Sequence, residues 1–257
     1  MLDTSSVPLL KTWLSARPPG TIVDVGAASG EFIREMRTLR PQSRIVAFEP
    51  TPTCATLLAS TFASDPLVRI RAVALSDHLG TAALKLYPEP TQNSLLEQSA
   101  IADCGRIEVP VSTLDTECME LGDLLPIEVL KIDTQGHDLA VLRGAAATIR
   151  RDRPLVQVEV IFAALYEHQA SPGEILAWFE SQDYTLADMS MPHHDAEGRL
   201  AYADWIFAPG QAAGAADQRY FCRDASMLAG NLRMYQQAAE ERLSLINRLT
   251  TEISRRS

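Results

Sequence analysis

The sequence lacks paired cysteines and an excess of basic residues. Its four cysteines, Cys54, Cys104, Cys118 and Cys222, form no CxxC pair, which argues against a zinc site or a disulfide framework and favours reduced thiols in a cytoplasmic protein. The chain has 23 basic and 33 acidic residues and a formal net charge of −10. Nucleic acid and anionic membranes attract clustered Lys and Arg, so neither is expected to be the main partner.

Long apolar runs are also missing. None approaches the roughly 20 residues that cross a bilayer, and the first residues do not show the charged start and sustained apolar stretch of a signal peptide. The composition, 46% hydrophobic and 22% charged over 257 residues, is ordinary for a soluble protein. A chain of this length can form one large α/β domain, alone or with an appendage.

Short apolar runs alternate with helical patterns along most of the chain. Runs of this kind are typical of strands covered on both faces, and they lie at 21–27, 43–50, 68–77, 127–134 and 154–161. Helices are predicted between them, including one over 138–150. The alternation predicts an α/β fold with a doubly wound, mostly parallel, seven-stranded sheet. The final segments "YTLADM" and "ADWIFAP" predict an antiparallel pair at one edge.

The pattern changes after the small, flexible segment at 209–217. We therefore predict one domain over 1–212 and a helical extension over 213–257. Apolar residues recur at three- and four-residue steps in the extension, so it could pack on its own domain or join copies of the chain into a homo-oligomer. Both interpretations stay open.

A glycine-containing turn follows the first predicted strand, in "DVGAASGEF". Gly26 and Gly30 would let the turn close and let a ligand approach the backbone, and the next helix would offer free N–H groups. Glu49 ends the second predicted strand, where a carboxylate can accept both ribose hydroxyls of an adenosine. The combination predicts a nucleotide site, although a tight turn with a purely structural role is the alternative.

The spacing in this turn bears on the kind of nucleotide. A dinucleotide site favours G-x-G-x-x-G, because the second glycine makes room for a pyrophosphate, whereas here Ala28 and Ser29 stand before Gly30. Asp24 would be unfavourable beside a pyrophosphate but suits a ligand with an ammonium group. S-adenosylmethionine has an ammonium group and an adenosine. An NAD(P)-dependent oxidoreductase is the alternative function.

The chain resembles the class I S-adenosylmethionine-dependent methyltransferases and, more narrowly, the FkbM family. The resemblance covers about residues 20–210, and it rests on "IVDVGAASGEF", "IVAFEP", "AVALSDHLG", "VPVSTLD", "EVLKIDTQGHDLAVLRGA" and "PLVQVEV" in that order. It implies a Rossmann-like sheet and a methyltransferase with S-adenosylmethionine as its cofactor. The implied acceptor is a hydroxyl on a small molecule such as a sugar or natural product.

The resemblance also implies which residues contact the cofactor. They are Asp24, Gly26, Ala27 and Gly30 around the methionyl part, Glu49 and Pro50 at the ribose and adenosine, and Ser76 and Asp77 at the adenine edge. Asp77 could instead cap the turn that follows it. In that case it would have no contact with the cofactor.

The segment "VLKIDTQGHD" at 129–138 is dense in groups that can exchange protons. Asp133 is the first candidate for a base or an acceptor of the substrate hydroxyl's hydrogen bond, and a helix N-cap is its alternative role. His137 could be the base or a surface residue. Glu159 lies in an apolar strand, where it needs a partner such as Lys131 or a substrate hydroxyl. The FkbM pattern commonly reads Asp-x-Glu-Gly-x-Glu, so Gln135 departs from it.

Further predictions concern the acceptor, a metal and the extension. Asn93 and Ser94, in the long polar loop at 89–105, could contact the acceptor. A divalent metal held by Asp133, Glu159 and His137 is chemically conceivable but not favoured. A non-catalytic protein that assembles with partners through the helical extension is a third possible function.

Overall fold

The structure is a computed structural model that describes residues 7–99, 101–122, 126–189, 192–195 and 197–210. The predicted helices of 213–257, their proposed role in assembly and the domain boundary at 212 lie outside the described residues. None of the described helices has the length and apolar character needed to cross a bilayer.

The main sheet is formed by buried strands that follow the predicted apolar runs. In the described part of the chain it has eight strands, in the order β10-β11-β8-β7-β1-β2-β3, with β9 beside β11. They are β1 (Thr21–Val25), β2 (Arg44–Phe48), β3 (Val68–Arg71), β7 (Ile127–Ile132), β8 (Leu155–Ile161), β9 (Tyr184–Met189), β10 (His193–His194) and β11 (Leu200–Pro209). The first five pair in parallel, and β11 is antiparallel to its neighbours.

The predicted doubly wound, mostly parallel sheet is confirmed. Both β9 and the two-residue β10 pair with the outer edge of β11, so they share the place of the predicted seventh strand. The predicted antiparallel pair at one edge is β9 with β11.

Helices cover both faces of the main sheet. One buried apolar cluster includes side chains of three helices, α1 (Val7–Ser15), α2 (Glu31–Leu39) and α3 (Pro52–Thr61). The opposite cluster includes side chains of α4 (Leu114–Leu121), α5 (Asp138–Gly144), α6 (Ala146–Asp152) and α7 (Pro172–Ser181). Ile22 and Val23 belong to different clusters, because successive residues of a strand point to opposite faces.

Two predictions were wrong because each treated as one continuous element a segment that the structure divides into two. The run at 68–77 is divided into β3 and β4 (Ala74–Leu75), and β4 joins β6 (Gly105–Ser112) and β5 (Gly80–Leu86) in a separate three-stranded sheet. The chain leaves the main sheet because Ala74 and Leu75 pair with Val111 and Ser112.

The predicted helix over 138–150 is also divided. It forms α5 and α6, which meet at Ala145 with φ −107° and ψ 2°. The backbone N–H groups of Ala147 and Thr148 donate to the carboxylate of Asp115, at 3.0 and 2.7 Å. This distant carboxylate therefore supplies the start of the second helix with the hydrogen bonds that a helix N-terminus needs.

Candidate active site

The glycine turn after β1 lies where three parallel strands end. Gly26 N–H donates to the carbonyl of Phe48 at 2.9 Å, and Asp133 N–H donates to Val25 at 3.0 Å. Gly26 has a φ of +80°, and a Cβ atom there would lie 1.9 Å from the carbonyl oxygen of Asp133. Only glycine fits so close an approach in this conformation. The turn therefore brings the ends of β1, β2 and β7 together.

Glu49 follows β2 and is buried, with 5% of its surface exposed. One carboxylate oxygen accepts a hydrogen bond from Ala28 N–H at 2.9 Å, and the other accepts one from Thr51 N–H at 2.8 Å. A carboxylate oxygen has two lone pairs, so each can accept a further hydrogen bond. The side chain is thus fixed in place with acceptor capacity left for a ligand.

Asp24 lies within β1 and is 1% exposed. Among the described residues, neither of its carboxylate oxygens has a hydrogen-bond partner, and Lys131 Nζ is 3.7 Å from Oδ1. Burial raises the pKa of Asp24 from 3.8 to about 6, although Lys131 opposes this change. A buried carboxylate without hydrogen bonds is costly, so this group is suited to a cationic ligand.

Two cavities meet at this edge of the sheet. One runs from Glu49 past apolar side chains that include Val73, Leu75 and Leu84. The other has a volume of about 370 Å³ and runs from Asp24 towards Glu159. Residues that line both are Gly26, Ala28, Thr91, Asp133 and Gln135. We name the first the adenosine-side cavity, after the group that the sequence leads us to expect beside Glu49, and the second the acidic cavity.

Asp133 lies where the two cavities meet. Its Oδ2 accepts a hydrogen bond from Lys131 Nζ at 3.1 Å, and its Oδ1 accepts one from Gln135 Nε2 at 3.0 Å. The same amide nitrogen donates to Glu159 Oε2 at 3.0 Å, and Tyr166 OH donates to Gln135 Oε1 at 2.8 Å. One amide therefore holds the two carboxylates together, and a tyrosine fixes the amide.

The acidic cavity contains more carboxylates than cations. Its ionisable lining comprises Asp24, Glu31, Asp133, Glu159, Asp204, Lys131, Tyr166 and Tyr202. Burial raises the pKa of Glu159 well above its usual value, and nearby Asp133 raises it further. Burial alone would lower the pKa of Lys131, but Asp133 and Asp24 outweigh it and raise that pKa. Lys131 therefore stays charged and partners these two aspartates, whereas Glu159 is bonded to Gln135.

His137 lines the adenosine-side cavity only. Its Nε2 lies 2.9 Å from Ser76 Oγ. Burial lowers the pKa of His137 to about 4, so the imidazole is neutral near pH 7. This position separates His137 from Glu159 and from the acidic cavity.

The last residue of the "VLKIDTQGHD" segment is structural. The buried carboxylate of Asp138 accepts hydrogen bonds from Thr134 N–H at 2.8 Å, Thr134 Oγ1 at 3.0 Å and Gly136 N–H at 3.1 Å. It closes the turn that places Gln135, whose φ is +56°. The N-cap of α5 is His137, without a capping bond from its side chain. Asp133 therefore does not have the alternative N-cap role.

The remaining predicted residues are distributed over both sides of the glycine turn, and Gly30 lines neither cavity. Asn93 Nδ2 donates to Thr51 Oγ1 at 3.3 Å, and Asn93 Oδ1 accepts from Tyr87 N–H at 2.9 Å. Ser94 Oγ donates to the carbonyl of Gln135 at 2.8 Å. Pro50 lines the adenosine-side cavity, Ala27 lines the acidic cavity, and Gly30 begins α2 with φ +78°. Both polar side chains thus lie on the Glu49 side, away from Glu159.

No described group of three or more His, Cys, Asp or Glu side chains has the arrangement of a metal site. Of the three ligands considered from the sequence, Asp133 and Glu159 lie in the acidic cavity, while His137 is bonded to Ser76 in the other. The geometry therefore gives no support to a metal ion shared by the three.

Sequence reasoning did not identify Gln135, Tyr166, Tyr202 or Asp204 as site residues. Asp204 faces Glu159 across the pairing of β8 with β11, and the alternation of buried residues in a predicted edge pair could have indicated it. Tyr166 follows β8 in a segment without a regular pattern. No signal in the sequence predicts its contact with Gln135.

The order of the strands and the cavities at their carboxyl ends define a doubly wound α/β protein with its ligand crevice in the usual place for this fold. Residues 24–186 match the Methyltransferase FkbM domain. Because this match covers more than half of the chain, the protein belongs to the FkbM methyltransferase family, and the resemblance noted in the sequence is confirmed.

Similar proteins include two fungal methyltransferases. Methyltransferase sdnD of Sordaria araneosa is 30% identical over 48% of this chain and 59% of its own length. Methyltransferase 1 of Beauveria bassiana (strain ARSEF 2860) is 28% identical over 48% of this chain and 57% of its own length. The matched part is thus less than two thirds of each relative. The solved structure of Methyltransferase FkbM from Methylobacillus flagellatus KT has a TM-score of 0.48 at 14% identity, covering 73% of this chain and 43% of that one.

Proposed function

We propose that this protein is an S-adenosylmethionine-dependent methyltransferase that methylates a hydroxyl of a small molecule such as a sugar or natural product. One observation carries the proposal. Asp24, a buried carboxylate with no hydrogen bond to the described residues, and Glu49, a fixed carboxylate with spare acceptor capacity, lie on either side of the glycine turn. The methyl donor has an ammonium group for the first and ribose hydroxyls for the second. A dinucleotide offers Asp24 no ammonium group: the positive charge of oxidised NAD lies on a ring nitrogen without an N–H, and its pyrophosphate is anionic.

The residues around the turn fit the parts of this cofactor. Asp24 would hold its ammonium group, Gly26 would let its central part lie against the backbone, and Glu49 would accept the ribose hydroxyls. The apolar walls of the adenosine-side cavity suit a flat base. When bound there, the cofactor supplies an electrophilic methyl group at the junction of the cavities.

Asp133 is the residue that we assign to the acceptor hydroxyl. Lys131 and Gln135 hold one oxygen each, which fixes the carboxylate at the junction. Asp133 would accept the hydrogen bond of the hydroxyl and hold the proton that the hydroxyl releases when its oxygen replaces the sulfur of the donor on the methyl carbon, so that the methyl–sulfur bond breaks and S-adenosylhomocysteine leaves. Much of the rate enhancement would come from positioning, and proton removal typically contributes about 10²–10⁴-fold. We assign Glu159, held by the same amide, to a second hydroxyl or amine of the acceptor.

The charge of the acidic cavity limits the acceptor. Asp24, Asp133, Glu159 and Asp204 line it, and Lys131 is its one basic residue in the part of the chain that the structure describes. A phosphate or carboxylate there would be repelled. A neutral or cationic small molecule is the acceptor class that fits, and nucleic acid does not.

Calorimetry with S-adenosylmethionine tests the proposed cofactor. We expect wild-type protein to bind it and Glu49→Gln to bind about tenfold more weakly, because the amide loses charged acceptor capacity for two hydroxyls. Glu180→Gln on α7, away from both cavities, is the control and should bind normally. Release of S-adenosylhomocysteine in a screen of sugars and other hydroxyl compounds would then identify the acceptor. Binding of NAD with none of the methyl donor would contradict the proposal.

A further inference from the structure

His137 contributes a polar group to a cavity whose other walls are largely apolar. We infer that His137 recognises the amino group of the adenine base, whose edge the sequence resemblance places near Ser76 and Asp77. The inference rests on the proposed cofactor. It concerns which atom of this chain distinguishes adenine from other bases.

The position of Asp77 is the first observation. Val73, Ala74, Leu75 and His137 line the adenosine-side cavity, but Asp77 does not. The carboxylate of Asp77 instead accepts a hydrogen bond from His78 Nδ1 at 2.9 Å, and its side chain is 42% exposed. A base in this cavity would therefore meet the imidazole of His137 before it met Asp77.

The second observation is that neighbouring polar side chains of the cavity are already engaged. Both functional atoms of Asn93 are hydrogen-bonded. The hydroxyls of Ser94 and Thr134 donate to Gln135 and Asp138. His137 has one hydrogen bond from its ring, at Nε2, and none is formed at Nδ1 with the described residues. Its second ring nitrogen is therefore available for a ligand.

The hydrogen-bond partners of Ser76 indicate which ring nitrogen of His137 carries the proton. Ser76 Oγ lies 2.9 Å from His137 Nε2, 3.3 Å from Asp77 Oδ1 and 3.3 Å from His78 Nδ1. His78 Nδ1–H donates to Asp77, its closer partner at 2.9 Å, and therefore has no lone pair for the Ser76 proton. The hydrogen bond from His78 lowers the pKa of Asp77, so this carboxylate is ionised and can only accept. Because a bond to a charged acceptor is the stronger one, the Ser76 proton goes to Asp77. His137 Nε2–H then donates to Ser76, and Nδ1 keeps a lone pair.

A lone pair at Nδ1 matches the amino edge of adenine. The exocyclic amino group of adenine is a donor, whereas the oxygen of hypoxanthine at the same place is an acceptor. Since burial keeps His137 neutral, it would not reverse its role by gaining a proton near pH 7. The structure therefore predicts that a cofactor with hypoxanthine is rejected, because two acceptors would face each other.

The experiment compares two ligands that differ at this atom, S-adenosylhomocysteine and S-inosylhomocysteine, by calorimetry at pH 7.5. We expect wild-type protein to bind the adenine ligand about tenfold or more tightly. The hypoxanthine ligand loses one buried hydrogen bond and leaves the acceptor on His137 without a partner. In His137→Phe the preference should fall to about twofold. His137→Asn keeps an acceptor near Nδ1 and should retain part of the preference.

Two further variants make the assignment specific. Asp77→Ala should weaken the preference by about threefold at most, because Asp77 acts only through Ser76 and His137. His194→Phe, on the exposed β10, should leave it unchanged. A preference that survives undiminished in His137→Phe, or that is lost in Asp77→Ala but kept in His137→Phe, overturns the inference. Failure of both ligands to bind wild-type protein would instead contradict the proposed cofactor. Thermal unfolding of each variant verifies that it is folded.

Discussion

The two cavities that meet at Gly26 and Asp133 differ in how their polar groups are satisfied. On the adenosine side, Glu49, Asn93 and Ser94 are all hydrogen-bonded within the protein. On the acidic side, Asp24 has no hydrogen bond within the described residues, and burial raises the pKa of both Asp24 and Glu159.

This difference indicates what each cavity is built to receive. Preorganised groups around an apolar space favour a neutral ligand whose hydrogen bonds match those already aimed at it. Buried carboxylates in excess of cations reduce stability until a proton or a cationic ligand arrives. The site therefore has two halves. In the adenosine-side half, around the adenosine-side cavity, the hydrogen bonds are already formed. In the acidic half, around the acidic cavity, the contribution to folding stability depends on ligand and pH.

Gly26→Ala would damage both halves and should have the largest effect. A Cβ atom would lie 1.9 Å from the Asp133 carbonyl, at a φ of +80°, so the ends of β1 and β7 would have to separate. We expect a loss of about 3 kcal/mol or more in the free energy of unfolding, measured in urea, and no detectable cofactor binding. Gly173→Ala, at a position with no close neighbour, is the control. Unchanged stability in Gly26→Ala would show that the turn does not join the two halves.

Asp24→Asn should affect the acidic half alone. It should weaken cofactor binding and increase the stability of the fold. Removal of the charge that faces the ligand ammonium should weaken S-adenosylmethionine binding by about 10- to 100-fold. The folded-state pKa of about 6 lies above the ordinary 3.8, so the ionised group reduces stability progressively as pH rises from about 4 to about 6. The variant should therefore gain at most about 3 kcal/mol at pH 7.

Urea unfolding at two pH values separates these contributions. The gain of Asp24→Asn should be present at pH 7 and nearly absent at pH 4. Wild-type affinity for the cofactor should fall as pH drops below about 6, and the variant should lose that dependence. A variant that is less stable than wild type at pH 7 would mean that the attraction between Asp24 and Lys131 outweighs the cost of burying the Asp24 carboxylate.

Gln135→Glu adds a carboxylate to the acidic half, so it should increase the difference between the two halves in their dependence on pH. The new carboxylate would face Asp133 and Glu159, each now 3.0 Å from the amide nitrogen, and would lose both donated hydrogen bonds. We expect about 1–3 kcal/mol of destabilisation at pH 8, and a smaller loss at pH 5, where the raised pKa of Glu159 favours its protonation. Cofactor affinity should change less than threefold. Gln42→Glu, at an exposed position, is the control, and equal losses at both pH values would contradict the charge argument.

Tyr166→Phe tests the support of that amide and should have the smallest effect. It removes the hydrogen bond from the tyrosine hydroxyl to Gln135 Oε1 at 2.8 Å and the one that the hydroxyl accepts from Gln98 Nε2 at 3.1 Å, together worth about 1 kcal/mol. We expect that loss in urea unfolding and no change in cofactor affinity. In the Gln135→Glu background the effect of Tyr166→Phe should differ, since contacting residues are coupled. Additive effects would show that the two side chains act independently.

Much of the main sheet could be predicted from the sequence because its strands are buried on both faces. The apolar runs that became β1, β2, β7 and β8 need no partner to be recognised. The split of 68–77 could not be predicted, since the position of β4 depends on pairing with β6, more than thirty residues away. The same holds for the start of α6, which is capped by Asp115 rather than by a residue beside it.

The positions of the candidate site residues that lie at the ends of strands could be predicted from the sequence. Asp24, Glu49, Asp133 and Glu159 follow from the position of each carboxylate in or after a parallel strand. The amide bridge depends on Gln135 having φ +56°, and on Tyr166, a residue from another segment. The placement of His137 depends on its contact with Ser76. Contacts between distant segments leave no pattern in the sequence.

A crystal structure of the protein with S-adenosylhomocysteine tests the central claim most directly. The claim predicts that the sulfur lies at the junction beside Gly26 and Asp133, with the ligand ammonium against Asp24. The ribose should contact Glu49, and the adenine amino group should face His137. A ligand with its adenine in the acidic cavity, or bound outside both cavities, would contradict the division of the site into these two halves.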